Sequence, residues 1–295
     1  MDKILAGKPV SSAILQSIIS QTVRMTIKPV LAIVTFSNDP SSEYYFSNIV
    51  KTASKVGIQA YLSVMSPQVS EQELIMHISE LNNDTRIDGI LLQKPLPLHL
   101  NDILVSNQIS IYKDVDGINS ANLGKLFTGE DGFIPCTAEA VMELIKYYDI
   151  ETDGKHVVIL GRSNVISKPL AALLLHKGKY GNATVTVCHS HTTDLLSITS
   201  NADILISAIG KAHFIVPDFI KPGAICIDVG INMINDPEQG NIYVGDIDFN
   251  QCQTKAQAIT PVPGGIGSIT TSILLRNLLK AAIKRQTQEK SLTDI

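Results

Sequence analysis

The chain predicts an α/β protein of two domains, each built on a parallel sheet with crossover helices. Three observations carry that prediction. Short β-branched runs alternate with segments of helix length, the pattern of successive βαβ units. The runs are apolar without strict alternation, as strands covered on both faces are. The length of 295 residues, against about 150 per domain, leaves room for two cores.

In chain order, strands are expected at Val30–Val34, Ile87–Leu92, Val157–Leu160, Ala183–Val187, Ile204–Ile206 and Ala224–Ile227. Ser41 to Lys51, following Asn38-Asp39-Pro40, has the chemistry of a helix start. Residues 112–137 hold Asp114-Val115-Asp116-Gly117, Thr128-Gly129-Glu130-Asp131-Gly132 and Pro135. These interrupt any regular period and suit an interdomain passage. A helical stretch from Leu170 to Lys177 follows the third strand. Residues 268–285 return to helical spacing, with Ile269, Ile273, Leu274, Leu278 and Ala281 on one face and a polar tail beyond. By pattern this last helix fits either domain. The division adopted is 1–137 plus 268–295 for the first domain and 138–267 for the second.

Composition narrows the function classes. With 24 Lys and Arg against 28 Asp and Glu, the formal charge is -4, without the basic face that binding a nucleic-acid backbone needs. No apolar stretch is long enough to span a bilayer. The residues from Met1 to Pro9 lack the apolar core and cleavage site of a secretory signal, so a cytoplasmic address is expected. Cys136, Cys188, Cys226 and Cys252 are scattered, with no C-x-x-C pair and no clustered Cys/His spacing. They read as reduced thiols, and no metal site is expected.

The strand ending at Leu160 runs into Gly161-Arg162-Ser163-Asn164-Val165-Ile166-Ser167-Lys168-Pro169 and then a helix. A glycine at a strand end before a helix N-terminus permits close backbone approach and aims free N–H groups at a pyrophosphate. A plain strand-to-helix turn with a Ser/Asn cap is the competing reading. In an NAD site an acidic residue about 20 positions after the glycines takes the ribose 2′-OH. Here the next strand ends instead in Cys188-His189-Ser190-His191. Arg162 and Ser190 suit a 2′-phosphate, so NADP is the expected cofactor. His189 and His191 stand equally well as ligands or as residues of a solvated loop. The loops at Ser207-Ala208-Ile209-Gly210-Lys211 and Asp228-Val229-Gly230-Ile231-Asn232 follow strands and can line the same cleft. In Thr260-Pro261-Val262-Pro263-Gly264-Gly265-Ile266-Gly267, prolines stiffen and glycines clear a wall against which a flat ring can lie.

Further patterns complete an ordered set: Asp39-Pro40 with Tyr45, Gly89-Ile90-Leu91-Leu92-Gln93-Lys94-Pro95-Leu96-Pro97, Lys113-Asp114-Val115-Asp116-Gly117, Pro135-Cys136-Thr137, and Val244-Gly245-Asp246. With the glycine loops above, the set resembles the methylenetetrahydrofolate dehydrogenase/cyclohydrolase family over nearly the whole chain. The resemblance implies an N-terminal α/β catalytic domain and a C-terminal Rossmann-type NAD(P)-binding domain, with a folate cleft between them and a homodimer as the usual assembly. It implies oxidation of 5,10-methylenetetrahydrofolate with NADP, commonly followed by hydrolysis of the methenyl product to 10-formyltetrahydrofolate. Carried over by motif, Tyr45 shapes the folate pocket, Gln93 lies beside the reacting carbon and Asp116 hydrogen-bonds the pterin, with Pro263, Gly264 and Gly265 lining the substrate. Gly161, Arg162, Ser163, Ser190, Gly210 and Ile231 match the cofactor positions. Without the resemblance, Tyr45 reads as a core aromatic, Gln93 as a strand-end hydrogen-bonder and Asp116 as a turn former.

The chain departs from the pattern at one informative place. The family's lysine lies four residues after the motif tyrosine, where this chain has Ile49. Lys51 projects about 240° around the helix from Tyr45 and replaces it poorly. Lys94 stands where the family usually has leucine; its flexible stem can bring an ammonium into the same cleft as a relocated lysine, but strand alternation and Pro95 favour a solvent-facing side chain. Ser167 stands for glycine. The expectation is therefore a dehydrogenase whose cyclohydrolase step is weak or absent. The full bifunctional enzyme and a non-catalytic paralogue that binds folate or NADP are the alternatives.

Overall fold

The computed structural model describes residues 3–36, 40–237 and 240–293, with the side chains of 40–45 and 288–293 outside the description. The chain divides into two compact units: Ala13–Cys136 with Thr271–Ile295, and Met1–Ser12 with Thr137–Thr270. Helix α1 (Gly7–Thr22) starts in the second and continues in the first.

The N-terminal unit contains β1 (Val30–Thr35), α2 (Pro40–Lys55), β2 (Gln59–Val64), α3 (Glu71–Asn83), β3 (Gly89–Leu92), α4 (Asp102–Ser106) and α5 (Ser120–Thr128). Its parallel sheet has the order β2-β1-β3, so the chain reverses its direction of travel across the sheet at β1. Strands β1 and β3 are apolar runs buried on both faces, as their composition requires. Ala32, Val34, Ile90 and Leu92 pack there against Leu74 and Ile78 of α3. A reciprocal Ser70–Glu73 capping box fixes where α3 starts. Strand β2 was not expected. It is an edge strand, exposed along much of its length, and QAYLSV carries no continuous apolar run.

Helix α6 (Cys136–Tyr147) leads into the C-terminal unit, which holds β4 (His156–Leu160), α7 (Ser167–Leu175), β5 (Thr184–Cys188), α8 (Leu195–Thr199), β6 (Ile204–Ser207) and β7 (Ile225–Asp228). Then come β8 (Asn232–Asp236), β9 (Gly240–Val244), α9 (Phe249–Cys252), β10 (Ala258–Ile259) and α10 (Gly267–Thr293). The parallel order β10-β7-β6-β4-β5 reverses at β4, which pairs with β5 on one side and β6 on the other. Strands β8 and β9 form a separate antiparallel hairpin. Among the described residues no helix is long and apolar enough to cross a membrane.

Two placements differ from the sequence reading. Residues 1–12 group with the C-terminal unit, because Leu5 N donates to Ile259 O at 2.9 Å and Gly7 N to Gly264 O at 2.8 Å. Residues 112–136 are an organised part of the N-terminal unit, not a passage. Fully buried Asp114 gathers the N–H groups of Ile118 and Asn119 and the amide of Asn122, which shapes the turn into α5. Asn119 then caps that helix.

Candidate active site

In an open parallel sheet the crevice lies outside the carboxyl ends of the strands, where the order reverses. In the N-terminal unit that place is the end of β1 and β3, and Gln93 occupies it. Its backbone N–H continues the sheet onto Val34 O at 2.9 Å. Its Oε1 accepts from the Thr35 hydroxyl and, at 3.1 Å, from Phe36 N–H, so the carboxamide is locked to the end of β1. Ile90 N–H donates to Lys113 O at 2.8 Å, laying the segment with Asp114 and Asp116 beside β3. A side chain at Gly89 would strike Val115 and Leu278, so glycine permits that approach.

Asp116 is half-buried. Desolvation pushes its carboxyl up to about 7 and the Asp114 carboxylate adds to the rise, against a hydrogen bond from Cys136 and the charge of Lys94. The Cys136 thiol also faces Val115 O at 3.4 Å and is itself approached by the Asn277 amide at 3.7 Å. The P-C-T cysteine thus belongs to this site. By sequence alone it is an unassigned thiol.

Lys94 does not face solvent as strand alternation predicted. Its side chain is 26% exposed and its ammonium is held by the Asp102 carboxylate and, at 2.6 Å, by the Ser106 hydroxyl. Helix α4 brings both partners against the strand end, a tertiary contact that alternation along β3 cannot reveal. Ile49 is fully buried in the core face of α2, while Lys51 is exposed. Tyr45 lies on α2 with its side chain outside the described residues.

In the C-terminal unit the reversal at β4 opens a cavity of about 280 Å³ lined by Gly161, Arg162, Ser163, Ser190, Lys211 and Phe214, among others. Gly161 has φ +117°, and a methyl group there would collide with the Ala208 carbonyl oxygen. The glycine is required by both conformation and space. Ser163 turns its hydroxyl to Ile166 N–H at 3.0 Å, shaping the entry to α7. Ser167 is fully buried with a hydroxyl that has no partner. Arg162 and Lys211 supply two cations, and among the described residues no acidic side chain lines the cavity. Lys211, whose ammonium sits 5.4 Å from the centre of the Phe214 ring, had been read only as part of a glycine turn.

Two buried carboxylates hold this cleft from behind. Asp246 receives the Ser207 hydroxyl, the N–H groups of Ile209, Gly210 and Lys211, and the Asn232 amide, all within 3.3 Å. Asp228 receives the N–H groups of Gly230, Asp246 and Ile247. Desolvation raises the Asp228 carboxyl to about 7. Side chains at Gly230 and Gly245 would strike Asp246 and Asp228 respectively, which explains glycine at both. Neither aspartate had been assigned a role, because each acts on backbone brought from a distant part of the chain.

Gly210 therefore positions the loop between Ile209 and Lys211 without lining the cavity. Ile231 does not line it either. It precedes β8, is 58% exposed and approaches Gly267. Pro263, Gly264 and Gly265 form a ledge against the start of α1, with Gly265 O accepting from the Ser268 hydroxyl at 2.7 Å.

Comparison with known proteins connects the two sites. Residues 5–116 match the tetrahydrofolate dehydrogenase/cyclohydrolase catalytic domain, and residues 135–286 match the NAD(P)-binding domain of the same enzymes. The chain belongs to the tetrahydrofolate dehydrogenase/cyclohydrolase family. Family relatives include the bifunctional protein FolD of Chlorobium phaeobacteroides, 42% identical over 95% of this chain and 97% of that one. That of Chlamydia felis is 42% identical over 93% and 96%. The bifunctional FolD dehydrogenase/cyclohydrolase structure from Campylobacter jejuni superposes with a TM-score of 0.89 at 37% identity, covering 96% of this chain and 99% of that one. The Trypanosoma brucei family member, solved with NADP and an inhibitor, gives 0.89 at 33%, covering 96% and 98%. The expected loss of the cyclohydrolase step finds no support among these relatives. Their bifunctional names fit the full two-step alternative better.

Proposed function

We propose that this family member oxidises 5,10-methylenetetrahydrofolate with NADP and hydrolyses the methenyl product to 10-formyltetrahydrofolate. The observation that carries the reading is the cluster of Gln93, Lys94 and Asp116 at the strand ends, which joins an amide, a cation and a poised carboxylate. Asp116 suits the N–H donors of an aminopyrimidinone edge, because a carboxylate accepts two bonds at once. Gln93, locked through its Oε1, orients the reacting carbon. The relatives' names and their coverage of this chain support both steps.

The C-terminal cleft fits NADP on its own features. Gly161 leaves room for a pyrophosphate at the start of α7, and the unpartnered Ser167 hydroxyl lies beside that glycine. Arg162, Lys211 and Ser190 suit a 2′-phosphate, and the absence of a carboxylate from the lining disfavours a bare ribose diol. When bound, NADP supplies the hydride acceptor. The chain's part is to hold and orient it, since hydride transfer needs position more than an acid or base. The homodimer and the cytoplasmic address belong to the same reading. Met233 and Tyr243, paired across the β8–β9 hairpin and 61% and 50% exposed, offer apolar area for a second copy. Sedimentation tests the dimer.

The deciding experiment follows both chromophores with purified protein. NADPH absorbance should rise with methylenetetrahydrofolate, and added methenyl compound should bleach faster than without enzyme. Saturable binding with neither change would favour the non-catalytic paralogue and defeat this reading.

A further inference from the structure

Hydrolysis of the methenyl group needs a proton donor beside the carbon that water attacks. Position 49 cannot supply one. Its isoleucine is fully buried, and Lys51 on the same helix is exposed. Tyr45 offers a phenol by sequence alone. Lys94, in contrast, directly follows Gln93, the residue placed at the reacting carbon. Its four-carbon stem is mostly covered, yet its ammonium rests on partners it can leave. Asp102 is 65% exposed, so the pair is of the surface kind, which contributes little and breaks easily. The other partner is a neutral hydroxyl, Ser106. The ammonium also sits close enough to lower the charge cost of ionised Asp116.

We propose that Lys94 is the catalytic lysine of the hydrolytic step, supplied from the end of β3 in place of a lysine on α2. The inference rests on the two-step reading above. Water forms the C–O bond at the methenyl carbon and releases one proton to solvent, while the cationic N–C–N system becomes a neutral carbinolamine. The C–N5 bond then breaks with its electron pair going to N5. N5 takes a proton from the Lys94 ammonium, and the carbinol hydroxyl returns its proton to the amine. The products are 10-formyltetrahydrofolate and one proton, and the lysine ends as it began. Asp102 and Ser106 act as the resting cradle. They keep the ammonium beside the site without fixing it as firmly as a buried carboxylate would.

The test measures both activities in the full-length protein for the parent, Lys94→Met and Lys94→Ala. Lys94→Met keeps the stem volume, so NADPH formation serves as an internal measure of folding and of the folate and cofactor sites. The expected result is a fall in methenyl hydrolysis of at least 100-fold in both variants, and at least tenfold greater than any fall in dehydrogenase kcat/KM that loss of the charge beside Asp116 brings. Added ethylamine should restore hydrolysis in Lys94→Ala at least tenfold, a response that a purely structural lysine would not give. A parent that hydrolyses no faster than buffer defeats the two-step reading and this inference with it. Parent hydrolysis that survives in Lys94→Met overturns the inference alone. Equal loss of both activities, or loss without amine rescue, assigns Lys94 to the shape of the site and also overturns it.

Discussion

The two units place their sites by the same rule and equip them by opposite means. Each uses the strand at which the sheet order reverses, β1 in one and β4 in the other. At β1 the working groups are side chains. Gln93, Lys94 and Asp116 are only partly buried, with Gln93 held to the end of β1 and Lys94 held by the Asp102 carboxylate and the Ser106 hydroxyl. At β4 the lining residues Arg162, Ser190 and Lys211 sit on loops at the strand ends, and the buried carboxylates of Asp228 and Asp246 fix loop backbone from behind. A site that moves protons needs groups whose charge can change. A site that cradles a cofactor needs a surface that does not move. Mutations should therefore divide: those behind the C-terminal cleft should cost stability and cofactor affinity together, and those at the N-terminal site should cost chemistry while sparing the fold.

The largest effect is expected from Asp246→Ala. Removing the fully buried carboxylate strands three backbone N–H groups, a hydroxyl and an amide in buried to half-buried surroundings. The loss should reach about 3–5 kcal/mol of stability, with NADP binding lost over the same range of protein damage. Urea unfolding and NADP titration check both. A variant with parental stability and weak NADP binding would break the comparison, because the carboxylate would then act on cofactor and not on the loop.

Asp116→Asn is the contrasting case at the N-terminal site. Folate affinity should fall by roughly 100-fold, as expected for losing charge-assisted bonds of about 1.5–3 kcal/mol each, while NADP affinity stays within twofold. The fold should respond in the opposite direction. Because desolvation raises the Asp116 carboxyl to about 7, the native state binds this proton more tightly than the unfolded chain. The group's contribution to stability is full at low pH and is lost as pH rises through 7. Asparagine removes that loss. The variant should match the parent near pH 4 and exceed it by up to about 2 kcal/mol at pH 8, the full shift being discounted for partial exposure. Denaturation at the two pH values decides the sign.

How much of this contrast was legible in the chain follows from the same physics. Strands β1, β3, β4, β6 and β7 were readable because two covered faces demand continuous apolar runs. Strand β2 and the β8–β9 hairpin were not, since an edge and a solvated ribbon impose no such demand. Gln93 and Asp116 emerged from motif resemblance, Arg162 and Ser190 from the missing carboxylate after β5. Asp246 stood in a quoted motif without a role because its partners at 207–211 lie more than thirty positions away, and no local spacing encodes them. Lys94 was seen but given the wrong environment. Its own strand predicts its direction, whereas α4 supplies its partners.

A third expected effect is smaller and concerns selectivity. Arg162→Ala should reduce the ratio of kcat/KM for NADP over NAD by roughly tenfold or more, the loss of one charge-assisted phosphate contact. Lys211→Ala should lower it further in the double variant if both cations face the same phosphate. No further fall on adding Lys211→Ala would place the lysine on a phosphate that both cofactors share, and an unchanged ratio for Arg162→Ala would remove the arginine from the 2′-phosphate.

The smallest expected effect is the most specific to this chain. Ser167 is a fully buried side chain whose hydroxyl has no partner, on the first turn of α7 and close to the space that a methyl group on Gly161 would fill. An unpartnered buried hydroxyl costs about 1–3 kcal/mol, and a free protein gains nothing from it. Ser167→Ala should therefore raise apoprotein stability by about 1 kcal/mol. If the hydroxyl serves bound NADP, the same change should weaken NADP binding, so that saturating cofactor erases part of the gain. Melting temperatures of parent and variant, each with and without NADP, separate the outcomes. A gain that survives saturation unchanged means that the hydroxyl does not meet the cofactor. A gain that shrinks places Ser167 with Gly161 and Arg162 in the phosphate cradle. Either outcome keeps the contrast with Asp116, where the destabilising group is a charge and the response depends on pH; at Ser167 it is a neutral dipole and the response should be the same at pH 6 and pH 8.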